Sequence, residues 1–206
     1  IDAARKDQSK ASSIPDTISF ARRAPNPDLI PVEAVRAAAA KALGDGWQKV
    51  LSSGLESAIP GLRLIAERHG LDDANQVMVT NGSLEAGAML FLHLLAPGDR
   101  VIVGQPSYDR TLLLLEQLGV EFAQISLEAD GIHVDAVEAA LAEGPVELVH
   151  LIPNFHNPAG CTLSEAKRRG LVELAAEHGS TIFEDDPYRE LPFAEDPPPT
   201  MLSMCR

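Results

Sequence analysis

The pattern of apolar and polar positions divides the chain into three stretches. From Ile1 to Pro31 no helical or strand period holds, and Pro15, Pro25, Pro27 and Pro31 recur too often for a continuous helix, so residues 1–31 read as an extended N-terminal arm. After Pro31, the run Val32-Glu-Ala-Val-Arg-Ala-Ala-Ala-Ala-Lys-Ala-Leu43 predicts a helix capped by Gly44. A second helix is expected after Pro60, with Leu62, Leu64 and Ile65 on its apolar side, which makes residues 32–75 a helical part. From Gln76 onward, short apolar runs alternate with helical patterns. Strands are expected at Val77–Thr80, Arg100–Gly104, Glu121–Ile125, Val146–Ile152 and Thr181–Glu184. Helices are expected between them at Ser83–Leu95, Tyr108–Leu118, Val134–Ala142 and Ser164–His178. Such alternation predicts an α/β fold, a mainly parallel sheet covered by helices on both faces in three layers. No internal repeat or low-complexity linker interrupts residues 76–206, which therefore read as one large domain.

Composition narrows the function classes. The chain has 206 residues and a formal net charge of −13, so a phosphate backbone would be repelled and nucleic acid is not an expected partner. The 45% hydrophobic content is that of a soluble globular protein, and Ala86–Leu95, interrupted by His93, is too short to span a membrane. Ile1–Ser13 has no apolar signal core. Cys161 and Cys205 make no disulfide framework, so a cytoplasmic location is expected, and no metal is expected.

In a sheet of this kind ligands gather at the carboxyl ends of the strands, which directs attention to the residues just after each run. Thr80-Asn-Gly-Ser-Leu-Glu-Ala86 leads straight into a helix; free N–H groups at Gly82, Ser83 and Leu84 make either a phosphate site or an ordinary helix cap. Gln105-Pro-Ser-Tyr108 puts an aromatic ring at a helix start, where it either stacks on a planar ligand or packs on the sheet edge. Pro153-Asn-Phe-His-Asn-Pro-Ala-Gly160 is a rigid loop that holds Asn157 as an amide donor or as a turn opener. Glu184-Asp-Asp-Pro-Tyr188 sets carboxylates at a strand end, where they must cap, pair or meet a ligand. Together, a phosphate cradle, a stacking ring, an amide and a carboxylate–tyrosine pair describe a pyridoxal 5′-phosphate site.

On these residues the chain resembles the fold-type I pyridoxal-phosphate enzymes, in particular the class I/II aminotransferases and the aminotransferase-like domains of MocR-type regulators. The resemblance runs from about Ile18 to Phe193 and is most specific at Pro153–Ser164 and Phe183–Leu191. It implies that Asp185 pairs with the pyridine nitrogen and that Tyr188 and Asn157 bond the ring's phenolic oxygen. It further implies that Tyr108 stacks on the ring and that Gly82, Ser83 and Leu84 take the phosphate. The Asp-x-x-Tyr spacing selects Asp185 over Asp186. An amino acid, a 2-oxo acid and a homodimeric partner are implied as well.

Three departures stand out. None of Lys6, Lys10, Lys41, Lys49 and Lys167 lies in the motif of the family's cofactor-anchoring lysine, which belongs beyond the tyrosine, as does the arginine that grips the substrate carboxylate. Ser53 stands where relatives carry a tyrosine. Phe20-Ala-Arg-Arg-Ala-Pro25 lacks the usual glycine before proline, leaving Arg22 or Arg23 as substrate contacts. The resemblance thus implies an aminotransferase whose catalytic lysine lies outside this chain. The alternatives are another reaction on the same scaffold (oxidase, cyclase or decarboxylase) and a non-catalytic cofactor-sensing domain.

Overall fold

The computed structural model describes residues 27–44, 47–48 and 59–205, and the chain divides into two compact units at Leu64/Ile65. In the first unit lies α1 (Val32–Ala42), with Glu33 in its first turn and Lys41 in its last, each charge matched to the helix dipole. It ends one residue before the expected Leu43, and the Gly44 N–H bonds Lys41 O just past it. Helix α2 (Ile59–Arg68) begins one residue before Pro60 rather than after it, and of its expected apolar side Leu62 is buried while Leu64 and Ile65 are exposed. The expected arm lies almost wholly outside the described residues.

The second unit is built on a five-stranded sheet. Its strands are β1 (Arg100–Gln105), β2 (Glu121–Glu128), β3 (Gly131–Ile132), β4 (Leu148–Leu151) and β5 (Thr181–Glu184), in the order β3-β2-β1-β4-β5. All neighbours are parallel except β3, which folds back on β2. The helices are α3 (Ser83–Leu94), α4 (Asp109–Gln117), α5 (Val134–Ala142), α6 (Glu165–His178) and α7 (Met201–Met204). Alternation along the strands sends side chains to two separate cores. Val101, Val103 and Leu148 pack on one face with Phe91 of α3 and Leu115 of α4. Ile102, Val149 and Leu151 pack on the other with Val137 and Leu141 of α5 and Leu171 of α6. Each fully buried aliphatic side chain contributes roughly 1.5–3 kcal/mol, which is why these near-continuous apolar runs are central strands.

Two expectations are corrected. Val77–Thr80 is not a strand: it runs outside the sheet, with Met78 and Val79 exposed. An apolar run becomes a strand only when a neighbour takes its N–H and C=O groups, and none of the five strands pairs with it. Conversely, the run expected to end at Ile125 continues to Glu128 and turns through Gly131 into β3. Gly131 adopts φ +110, and a Cβ there would lie 2.9 Å from the Leu163 Cα, so only glycine fits this turn. The short α7 is a further element that no sequence signal announced. Its first N–H groups are capped by Glu184, with Met201 N donating at 3.0 Å and Leu202 N at 3.2 Å.

Candidate active site

The chain leaves β1 toward β2 on one side and later fills β4 and β5 on the other. Strand order therefore reverses between β1 and β4, and in open sheets of this kind ligands bind at the carboxyl ends of the strands around such a point. A cleft with about 340 Å³ of empty space, part of it open to solvent, is lined by Ser83, Leu84, Gly87, Phe91, Tyr108, Thr111, Leu114, Phe183 and Asp185. Four of the residues singled out in the sequence thus share one wall-to-wall space: Ser83, Leu84, Tyr108 and Asp185.

Each is delivered by its element. The N-cap of α3 is Gly82, at φ +96, with no side chain to satisfy the first turn. The opening N–H groups of a helix have no intrahelical acceptor, so this end carries donors and the positive pole of the dipole. Asn81 is turned away by Glu85, whose carboxylate accepts from the Asn81 backbone N–H at 2.6 Å. Tyr108 is the N-cap of α4, two residues after Pro106 of the Gln105–Pro106 cis peptide.

The three carboxylates that end β5 take three different destinations. Glu184 caps α7. Asp185, whose N–H extends the ladder to Leu151 O at 2.8 Å, faces the cleft. Asp186 accepts from Asn154 Nδ2 at 2.6 Å and lies 3.7 Å from Arg189 Nη1. Burial pushes the Asp186 carboxyl above the usual carboxylate value, against the opposing pull of the Asn154 bond. Of the two aspartates, Asp185 lines the cleft and Asp186 is bonded to Asn154.

Asn157 and Tyr188 are both half-buried but lie outside the lining of this cleft. The loop that carries Asn157 bends toward α6, where Leu163 N bonds Pro153 O at 2.7 Å and Arg168 Nη2 bonds Asn154 Oδ1 at 2.6 Å. Gly82 is exposed at the cleft's rim. Arg22, Arg23 and Ser53 fall outside the described residues. Among the described residues there is no cluster of three metal-ligating side chains, and no helix is long and apolar enough to cross a membrane.

A model of the family described as aspartate amino-transferase matches residues 34–206. The chain belongs to that family. It is 33% identical to the aromatic-amino-acid aminotransferase 1 of Thermococcus litoralis over 193 residues, 88% of this chain and 46% of that protein. It is 32% identical to the HTH-type transcriptional regulator YdcR of Escherichia coli, covering 93% of this chain and 42% of that one. In structure it matches the Pyrococcus horikoshii kynurenine aminotransferase, solved with PMP, at a TM-score of 0.87 and 29% identity, over 98% of this chain and 52% of that one. The chain spans about half the length of the curated relatives it matches.

Sequence reasoning singled out neither of two buried polar residues that contact the loops after β4 and β5. Arg168, fully buried, donates to the carbonyls of Leu163, Pro153 and Pro199 as well as to Asn154. His150 is buried on β4 with Nε2 3.5 Å from Asp185 Oδ2. The available signal was a polar residue inside the apolar run Val146–Ile152.

Proposed function

We propose that this chain carries the cofactor-holding half of a pyridoxal 5′-phosphate-dependent aminotransferase acting on an amino acid and a 2-oxo acid. The observation that carries the reading is the single cleft shared by Asp185, Tyr108 and the uncapped start of α3. An anion at the Gly82–Leu84 end meets N–H donors and the helix dipole. Tyr108 offers a ring face, and Asp185 offers a carboxylate able to hold a proton on a ring nitrogen. The residues present fit the group at its phosphate, ring and nitrogen ends. Bound there, the cofactor supplies an electron sink for the substrate carbanion. Asp185 strengthens that sink by keeping the nitrogen protonated, and Asn157 and Tyr188 are proposed to reach the ring's phenolic oxygen from their loops. Gly87 and Phe91 line the apolar side of the same cleft. The anchoring lysine lies outside this chain, the assembled enzyme is a homodimer, and a cytoplasmic location accords with the free thiols of Cys161 and Cys205.

The likeness to YdcR favours a second reading, a domain that senses the same cofactor without turnover. Titration with pyridoxal 5′-phosphate against pyridoxal tests the shared site: the phosphate ester should bind markedly tighter, and Asp185→Ala should weaken it. Equal affinity for the two compounds would remove the phosphate assignment. Amino transfer by the assembled protein decides between enzyme and sensor.

A further inference from the structure

His150 sits at the centre of the sheet, opposite Val103 of β1 and Phe183 of β5. Its side chain is 0% exposed, its ring lies 5.6 Å from that of Phe183, and neither ring nitrogen has a hydrogen-bond partner. A buried imidazole with both nitrogens unsatisfied is costly, and such a group calls for an explanation. Phe183 and Asp185, two residues apart at the end of β5, project to the same face as His150. That brings His150 Nε2 to 3.5 Å from Asp185 Oδ2, which is within reach but not aligned as a hydrogen bond. Asp185 also lines the cleft, so its carboxylate lies between the cleft and the buried imidazole.

We propose that His150 is a positioning residue for Asp185. A neutral imidazole with its proton on Nε2 donates to Oδ2 once a cationic ring nitrogen draws on the carboxylate from the cleft side. The donation holds the carboxylate ionised and aimed, and it satisfies the nitrogen that is otherwise orphaned. His150 never touches the ligand; it acts through Asp185. The consequence is selectivity: His150 sets how strongly the site prefers a ring that can be protonated over an isosteric ring that cannot. This inference rests on the cofactor reading above.

The test uses the 206-residue chain and two probes, pyridoxamine 5′-phosphate and its analogue with the ring nitrogen replaced by carbon. Wild type should bind the pyridine probe more tightly, by on the order of tenfold, as expected for a charge-assisted contact. His150→Phe should bring that ratio close to one while leaving affinity for the carbon analogue unchanged. His150→Gln, which keeps an N–H donor, should restore most of the ratio. A spectroscopic arm needs no substitution: in wild type, the ¹⁵N resonances of His150 should move to the Nε2–H form on adding the pyridine probe and not on adding the carbon analogue. Equal weakening of both probes by His150→Phe, or an unmoved His150 signal, overturns the inference and leaves the cofactor reading standing. Failure of wild type to bind either probe overturns both.

Discussion

Asn154 Nδ2 donates to Asp186 Oδ2 across 2.6 Å, and this bond ties the loop after β4 to the loop after β5. Behind it, Arg168 holds Asn154 Oδ1 at 2.6 Å, so helix α6, the loop after β4 and the Pro198–Pro199 segment meet on one guanidinium. Arg168→Met should therefore lower stability by at least about 3 kcal/mol, because several buried acceptors lose their donor together. Arg168→Lys should recover little of it, since one ammonium cannot reproduce the fork. Urea midpoints of the two variants check this.

The Asp186 carboxyl gives a pH signature with a definite sign. Burial raises its folded value above the ordinary 3.8, so the folded state holds this proton more tightly than the unfolded chain. Its contribution to stability is fully present below 3.8 and is lost as pH rises through the raised folded value. Asp186→Asn keeps an oxygen for the Asn154 donor and cannot ionise. The stability of wild type relative to this variant should accordingly fall as pH climbs from below 3.8 toward neutrality. A difference that rises with pH, measured by denaturant titration, would sink the assignment.

Much of this architecture is written in the hydrophobic pattern. Strands β1, β4 and β5 and helices α3 to α6 lie where period and punctuation placed them, because burial of β1 and β4 on both faces, and of one side of each helix, is recorded locally as apolar positions. What failed was decided by partners distant in sequence. Val77–Thr80 has strand composition, but no described strand accepts it. β3 is two residues long and exists through the Gly131 turn. At the site, Ser83, Leu84, Tyr108 and Asp185 were legible because each follows a strand or opens a helix. His150 and Arg168 were not, since an interior histidine and a helical arginine carry no local mark of what they touch.

Ser83→Asp separates helix stability from anion binding at one position. A carboxylate in the first turn of α3 complements the dipole and should stabilise the fold by about 0.3–1 kcal/mol. The same charge, lining the cleft, repels a phosphate. Thermal unfolding should move up while affinity for pyridoxal 5′-phosphate drops; a variant that gains both would contradict the placement of the anion.

Gly131→Ala forces a side chain into φ +110 and against the Leu163 backbone. A loss of about 2 kcal/mol or more is expected from strain and overlap combined. Gly160→Ala, at φ +74 with open space around it, should cost less. Paired denaturation curves would show the order.

Lys167 should stay inert as a nucleophile. Burial alone would lower its pKa, but hydrogen bonds to Asp130 and Glu128 outweigh that and raise it. Its ammonium lies 2.7 Å from Asp130 Oδ1. Borohydride reduction in the presence of pyridoxal 5′-phosphate should leave Lys167 unlabelled by mass spectrometry.

The triplet Glu184-Asp185-Asp186 has a consequence for how this protein tolerates change. Its three acids are chemically near-identical, yet each is assigned its duty by position alone: one caps a helix, one faces the cleft, one joins two loops. Deleting a single residue from β5 would leave the tally of charges almost untouched and hand every duty to the wrong neighbour. Substitution within the triplet is therefore a mild insult compared with a frame-preserving indel just upstream, and variants of this stretch are better ranked by alignment phase than by residue similarity.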